Sequence, residues 1–229
     1  MILELIFYMG TPIITNSEIN IDSLFCGVSP ANHNKDHFVN RQTKSGELNA
    51  LPIPIDCAKL DGRYIYCSSC ADFKDHKMIT ETATKRRNGE DVLYYHTMLT
   101  PRTGIDKDCM LKLYGVSCSS VSFLLSSAYP NEVDRYARRI KNIGGMRKQG
   151  YGHVRDFEII ERADLDWKDC IVQNGRALRN IPQSFLKNDV KSMLRCSPPY
   201  WMRDGIEPCA AVGDTAELKD DVYLSYFRK

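Results

Sequence analysis

The chain opens ILELIFYM, where Leu3, Leu5 and Phe7 alternate with Glu4 at the period of a strand that buries one face. After a break rich in Pro, Asn and Ser, apolar residues return at Ile19, Ile21, Leu24 and Phe25, and Asp22, a favourable N-cap type, predicts a short helix beginning there. The next stretch, SPANHNKDHFVNRQTKSGELNA, has no period and reads as an inserted loop over about residues 29–50. Prolines at 52 and 54 hold LPIPI extended, and residues 64–67 predict a short strand. Residues 72–108 are again polar and predict a protruding hairpin or loop, with residues 92–96 and 98–99 in an arm and RNGED as its turn.

From Cys109, CMLKLYGVSCSSVSFLLSSA is rich in β-branched and aromatic residues and predicts two strands separated near residues 115–119. YPNEVDRYARRIKNIGG then carries a helix signature: Pro130 suits the first turn, Glu132 and Asp134 its positive end, and bases fill the last turns. Val133, Tyr136, Ala137, Ile140 and Ile143 form one apolar stripe, and Gly144 fits a left-handed C-cap. HVRDFEII reads as the following strand. The order strand, helix, paired strands, helix, strand predicts an α+β fold: a ferredoxin-like, RRM-like unit over residues 1–160 with inserted loops at about 29–50 and 72–108. Residues 161–229, with prolines in SPPYWM and IEPCAAV and no strong period, are expected as a C-terminal extension of strands and loops packed on that unit.

Composition alters this picture little. With 229 residues, 43% apolar and 26% charged, the chain has material for one large domain or two small ones. A net charge of +2 leaves the location of the bases, not their number, as the informative quantity. No run approaches the roughly 18 apolar residues of a membrane span, and the apolar start lacks a basic n-region, so a cytoplasmic protein with no membrane partner is expected. Of the nine cysteines only Cys67 and Cys70 make a CxxC, with no second pair to complete a zinc site. Reduced, buried thiols are therefore expected, with no metal and no cofactor.

The bases concentrate in one place. Arg135, Arg138, Arg139 and Lys141 lie on the polar side of the predicted second helix, which alone describes a solvated face. The following KNIGGMRKQGYGHV carries the charge on through Arg147 and Lys148 into a segment whose glycines permit unusual backbone angles. Backbone N–H groups beside guanidinium and ammonium groups hold phosphate oxygens, and Tyr151 offers a ring on which an unstacked base can lie. The segment lacks the GxxxxGK[ST] spacing, and GxGxxG pockets begin a helix whereas this one follows a helix, which favours a polymer's phosphates over a nucleotide cofactor.

The string IGGMRKQGYGHV resembles the glycine-rich loop of the RAMP proteins of CRISPR systems. With INIDSLFCGV, LPIPI, YIYCSS, LKLYGVSCSSVSFLL, PPYW and EPC in order around it, the chain resembles the Cas-five-like, Csf-type RAMP subunit of type IV CRISPR effector complexes. That resemblance implies a non-catalytic subunit that caps the five-prime handle of the CRISPR RNA and nucleates a filament of backbone subunits. Its implied partners are the guide RNA, backbone RAMP subunits and a large subunit, with target DNA met indirectly. The implied RNA-binding residues are Gly144, Gly145, Arg147, Lys148, Gly150, Tyr151, Gly152 and His153, beside Arg138 and Arg139. Lys85, Arg86 and Arg87 are the candidate tip of a hairpin that pins a kinked nucleotide. Two alternatives stand beside this: a metal-independent repeat endoribonuclease using His153 or His37, chosen from His33, His37, His76, His96 and His153, and a single-strand-binding module unrelated to CRISPR.

Overall fold

A computed structural model describes residues 1–15, 17–29, 52–85, 109–198, 200 and 206–226. Strand β1 (Ile2–Met9) buries Leu3, Leu5, Phe7 and Met9 on one face, as its alternation predicts. A turn leads through β2 (Ile13–Ile14) to helix α1 (Ile21–Val28). Strands β3 (Cys57–Leu60) and β4 (Arg63–Tyr66) form a hairpin, followed by β5 (Asp72–Lys74) and the long pair β6 (Lys77–Lys85) and β7 (Cys109–Ser117). Strand β8 (Ser120–Ser126), helix α2 (Pro130–Ala137) and β9 (Val154–Glu161) come next. Beyond them lie β10 (Val172–Gln173), β11 (Arg176–Ala177), β12 (Ile181–Pro182), β13 (Ser192–Arg195), β14 (Ile206–Ala210) and β15 (Tyr223–Ser225).

The described architecture is mixed α and β, with antiparallel sheets and few helices. Its largest sheet has the order β5-β8-β1-β9, every neighbour antiparallel. Register sets Phe7 opposite Val121 on one side and Phe157 on the other, and its ring lies 6.2 Å from those of Phe123 and Phe157. Helices α1 and α2 cover this face with Ile21, Leu24, Phe25, Val133, Tyr136 and Ala137 in one apolar cluster. Each of the Ile, Leu, Phe and Val side chains, fully buried, contributes about 1.5–3 kcal/mol. The opposite face carries Glu4, Tyr8, Asp156 and Glu158, and Tyr8 donates to Glu158 at 2.9 Å. That bond and the Glu158 charge raise the Tyr8 pKa.

A second apolar cluster forms where the tail folds over β3 and β4. Ala58, Leu60, Ile65 and Cys67 there meet Ile171, Ile181, Phe185 and Leu186 of the tail, and β15 adds itself to the edge of β3. Arg179 ties the clusters together from a fully buried position. It donates to the Tyr66 carbonyl at 2.7 Å, Ser68 Oγ at 3.0 Å, the Cys196 carbonyl at 3.0 Å and the Asp22 carboxylate at 2.9 Å. Tyr200 closes the network with a 2.8 Å bond to Asp22. Burial opposes the Arg179 charge, but Tyr200 and Asp22 outweigh it and the pKa is raised.

Two local expectations are corrected here. Asp22 does not cap α1: Asn20 holds the N-cap position, and Asp22 sits in the first turn with its carboxylate turned inward to Arg179. Helix α2 ends at Ala137 rather than near Gly144, although Val133, Tyr136, Ala137, Ile140 and Ile143 are all buried as one stripe. The helix stops because residues 141–143 spend their backbone groups on the returning chain: Ile143 N–H donates to Gly152 at 2.8 Å and Val154 N–H to Lys141 at 3.0 Å. Cys26, Cys57, Cys67, Cys70, Cys118, Cys170, Cys196 and Cys209 are free thiols, all buried except the half-buried Cys118. Cys67 packs in the second cluster, while Cys70 donates to Asn20 Oδ1 at 3.0 Å. Among the described residues no set of three or more His, Cys, Asp or Glu is grouped to hold a metal, and no helix is long and apolar enough to cross a membrane.

Candidate nucleic-acid interface

The glycine segment after α2 is a tight hairpin. Asn142 faces His153 across its base, and the tip is a single 3-10 turn, Arg147–Gln149, bracketed by Met146 at φ 52° and Gly150 at φ 87°. It is fastened to the turn between β1 and β2. Gly145 N–H donates to Ile14 at 2.7 Å, Gly152 N–H to Pro12 at 2.7 Å, and Thr11 both donates to the Gly150 carbonyl and accepts from His153 N–H at 2.8 Å.

These bonds change what the glycines do. The amides of Gly145, Gly150 and Gly152 are spent inside the protein, so they offer nothing to a phosphate. Gly152 instead makes the hairpin closable: at φ 65°, a Cβ there would stand 1.7 Å from the Ile143 carbonyl oxygen. Gly144, at φ 88°, lies as close against Ile14 as a 2.7 Å Cβ contact. The amides that open the 3-10 turn, those of Arg147 and Lys148, have no acceptor among the described residues. Sequence reasoning assigned the phosphate-facing role to the glycines because it saw their spacing but not their partners.

Charge is likewise concentrated more narrowly than the helix pattern implies. Arg138 forks onto Asp134 at 2.7 and 2.9 Å and lies 5.5 Å over the Phe157 ring, and Arg135 pairs with Glu132 at 3.2 Å. Those two bases are neutralised locally. Arg139 leans on the Val28 carbonyl at 3.4 Å, and among the described residues Arg147 donates only its Nε, to Gly144 at 2.8 Å. Lys141, Lys148 and Arg155 are exposed and have no ion-pair partner among the described residues. Unpaired positive charge therefore sits on the hairpin, while on the open face of the large sheet Glu4 is paired with Arg162 at 2.8 Å and Glu158 is held by Tyr8.

The remaining predicted residues are dispersed. Tyr151 is half-buried at the hairpin, its carbonyl held by Asn142 at 3.1 Å. His153 is exposed, its ring packed near Gly10, and makes no side-chain hydrogen bond among the described residues. His76 approaches the Phe73 carbonyl at 3.1 Å. His33, His37 and His96 lie outside the described residues, as do Arg86, Arg87, residues 30–50 of the predicted inserted loop and the predicted arm at 92–99. Lys85 ends β6, its side chain likewise outside.

No protein-family model matches the chain, and no curated protein matches it. The candidate interface therefore rests on its own geometry. Sequence reasoning missed one part of it. A groove of about 660 Å3 opens beside the hairpin, between Gly144, Gly145 and Arg147, the segment before α1, Lys112 and Tyr114 of β7, and Asn180 and Arg195 of the tail. Its walls come from four distant parts of the chain, so no local motif announces it.

Proposed function

We propose that the protein is an RNA-binding subunit of the RAMP type, which grips the five-prime handle of a CRISPR RNA in a type IV effector complex through the hairpin at residues 141–154. The carrying observation is that hairpin: an ordered loop between helix and strand whose outer tip presents Arg147, Lys148 and the two free amides that open its turn. Guanidinium, ammonium and N–H donors on one small tip suit phosphate oxygens of a strand passing over it. The strand order β5-β8-β1-β9, with α1 after β1 and α2 between β8 and β9, supports reading the large sheet as a ferredoxin-like unit. In this reading backbone subunits and a large subunit assemble on the guide, and the pairing of guide with target, not this chain, reads the target sequence.

The test is fluorescence anisotropy with labelled repeat RNA across a salt series. Replacing Arg147 and Lys148 together by Ala is expected to weaken binding and to flatten the plot of log affinity against log salt by about 1.4, the loss of two phosphate contacts on a single strand. An unchanged slope in a folded double variant overturns the phosphate contacts. The endoribonuclease alternative has no observation in its favour at His153, whose ring makes no hydrogen bond or ion pair among the described residues.

A further inference from the structure

Two thiols of the tail lie against each other. Cys196 follows the last residue of β13 and Cys209 sits in β14, and both are buried and free. The chain at residues 179–182 holds both. The Arg195 carbonyl accepts from Asn180 Nδ2 at 3.2 Å and the Cys196 carbonyl from Arg179 at 3.0 Å, while Cys209 pairs with Pro182 across the sheet. The Cys209 sulfur lies 3.3 Å from the Leu194 carbonyl oxygen, just short of Cys196, and 3.0 Å from that of Glu207. The Cys196 thiol in turn donates to the Cys209 sulfur. That bond favours a thiolate at Cys209 and opposes one at Cys196, which lowers the first pKa and, with burial, raises the second. Thiols in contact lie within the reach of a disulfide bond.

We infer that Cys196 and Cys209 are a reversible redox pair, closed to a disulfide by hydrogen peroxide, which pins the loop bearing Tyr200 onto the buried Arg179–Asp22 pair. The Cys209 thiolate attacks one peroxide oxygen, the O–O bond breaks, and Cys209 becomes a sulfenic acid as the other oxygen leaves as hydroxide. The Cys196 sulfur then attacks the Cys209 sulfur, the S–O bond breaks, and the departing oxygen leaves as water. In total the two thiols give up two hydrogens and two electrons, and the peroxide becomes two waters. A small dithiol reverses the step by exchange. Burial selects the oxidant. Strand β13 stands at the edge of the order β12-β14-β13, so its local parting admits a molecule little larger than water and keeps out the bulkier glutathione disulfide. The new bond closes a loop that carries Tyr200, whose hydroxyl accepts from Arg179 at 2.8 Å and donates to Asp22 at 2.8 Å. The Cys196 carbonyl is itself an Arg179 acceptor, so the link ties β14 directly to the organiser of the tail. This inference stands apart from the RNA-binding reading.

The experiment treats the full, reduced chain with hydrogen peroxide and maps its peptides by mass spectrometry without reduction. A peptide pair linked through Cys196 and Cys209 is expected, about 2 Da lighter than the sum of its parts and released by dithiothreitol. Glutathione disulfide is expected to yield no such pair. Closing a loop of about 15 residues is also expected to lower the unfolding equilibrium constant about a hundredfold, read as a higher urea midpoint for the oxidised chain. Cys196→Ser and Cys209→Ala should each abolish the link and the gain. The map is read on the native chain, so a variant that fails to fold leaves the test intact. If both residues remain thiols after peroxide, are oxidised separately to sulfinic acids, or are joined to other cysteines, the inference is overturned. A Cys196–Cys209 link that leaves the urea midpoint unmoved overturns the pinning, and glutathione disulfide closing the pair as fast as peroxide overturns the selection by burial.

Discussion

The two apolar clusters are built by different rules. In the first, long elements supply their own buried faces: β1 contributes Leu3, Leu5 and Phe7 at a period of two, and α2 contributes Val133, Tyr136 and Ala137 at a helical period. In the second, strands of two to five residues from the tail pack on the β3–β4 hairpin, and their local patterns are too short to specify a face. Side-chain bonds over long separations do so instead. Arg179 reaches Tyr66 across 113 residues and Asp22 across 157. The first cluster follows from periodicity, while the second depends on one buried charge whose two terminal nitrogens are bonded, its Nε alone having no acceptor among the described residues.

The sharpest break of this comparison is Arg179→Met. It strands the Asp22 carboxylate in a dry site, and losing one partner of a buried pair costs roughly 3–5 kcal/mol, against roughly 2–5 kcal/mol for Leu5→Ala in the first cluster. Urea unfolding measures both. Adding Asp22→Asn to Arg179→Met is expected to recover part of the loss, since no unpaired charge then remains, whereas it recovers nothing on a Leu5→Ala background. A cost for Arg179→Met no larger than that of a surface substitution would remove the charge as the organiser of the tail.

The same contrast explains what was legible in the sequence. Strands β1 and β9, the break between β7 and β8 and the buried stripe from Val133 to Ile143 follow from alternation and spacing, and the structure has them. The end of α2 was misplaced because hydrogen bonds from residues 151–154, not propensity, stop it. Asp22 was misread because a good cap residue and a buried ion-pair partner look alike until Arg179 is folded against it. Within the site, Arg147 and Lys148 were legible as exposed bases, but Lys112, Tyr114 and Asn180 were not, since only the tertiary fold brings them beside the glycine hairpin.

Buried thiols give a second, smaller probe. Burial pushes Cys57, Cys70 and Cys170 up to about 12, against an ordinary value of 9.0. The folded chain thus keeps protons that the unfolded chain releases above pH 9, so the stability they provide is full below pH 9 and falls as pH rises toward 12. Between pH 8 and pH 10 each thiol is expected to remove roughly 1 kcal/mol, read from urea midpoints at the two values. Cys57 belongs to the first cluster, while Cys170 ends the 3-10 turn Trp167–Cys170 that leads into the tail. Cys57→Ala and Cys170→Ala should each take roughly 1 kcal/mol off that fall, only part of the whole because burial also raises Cys67 and Cys118, whatever each does to stability at pH 8. A slope that responds to neither would mean that these sites open to solvent before the clusters unfold.

A further contrast separates two glycines of one hairpin, whose base is anchored in the first cluster by Ile143 and Val154. Gly152→Ala must place a methyl group 1.7 Å from the Ile143 carbonyl oxygen while keeping φ at 65°, so the strands of the hairpin have to part. A loss of roughly 2–3 kcal/mol is expected, with exchange protection falling at the Ile143 and Val154 amides that close the base. Gly150→Ala meets nothing within 4 Å and bears only the cost of its φ of 87°, about 1 kcal/mol. Because Gly150 N–H is already bonded to Arg147, this second variant should leave the RNA salt slope unchanged, whereas a glycine that approached phosphate directly would lose affinity sharply on gaining a methyl group. Measuring RNA affinity of Gly150→Ala beside Arg147→Ala therefore separates a tip that binds through its side chains and opening amides from one that binds through its glycine backbone.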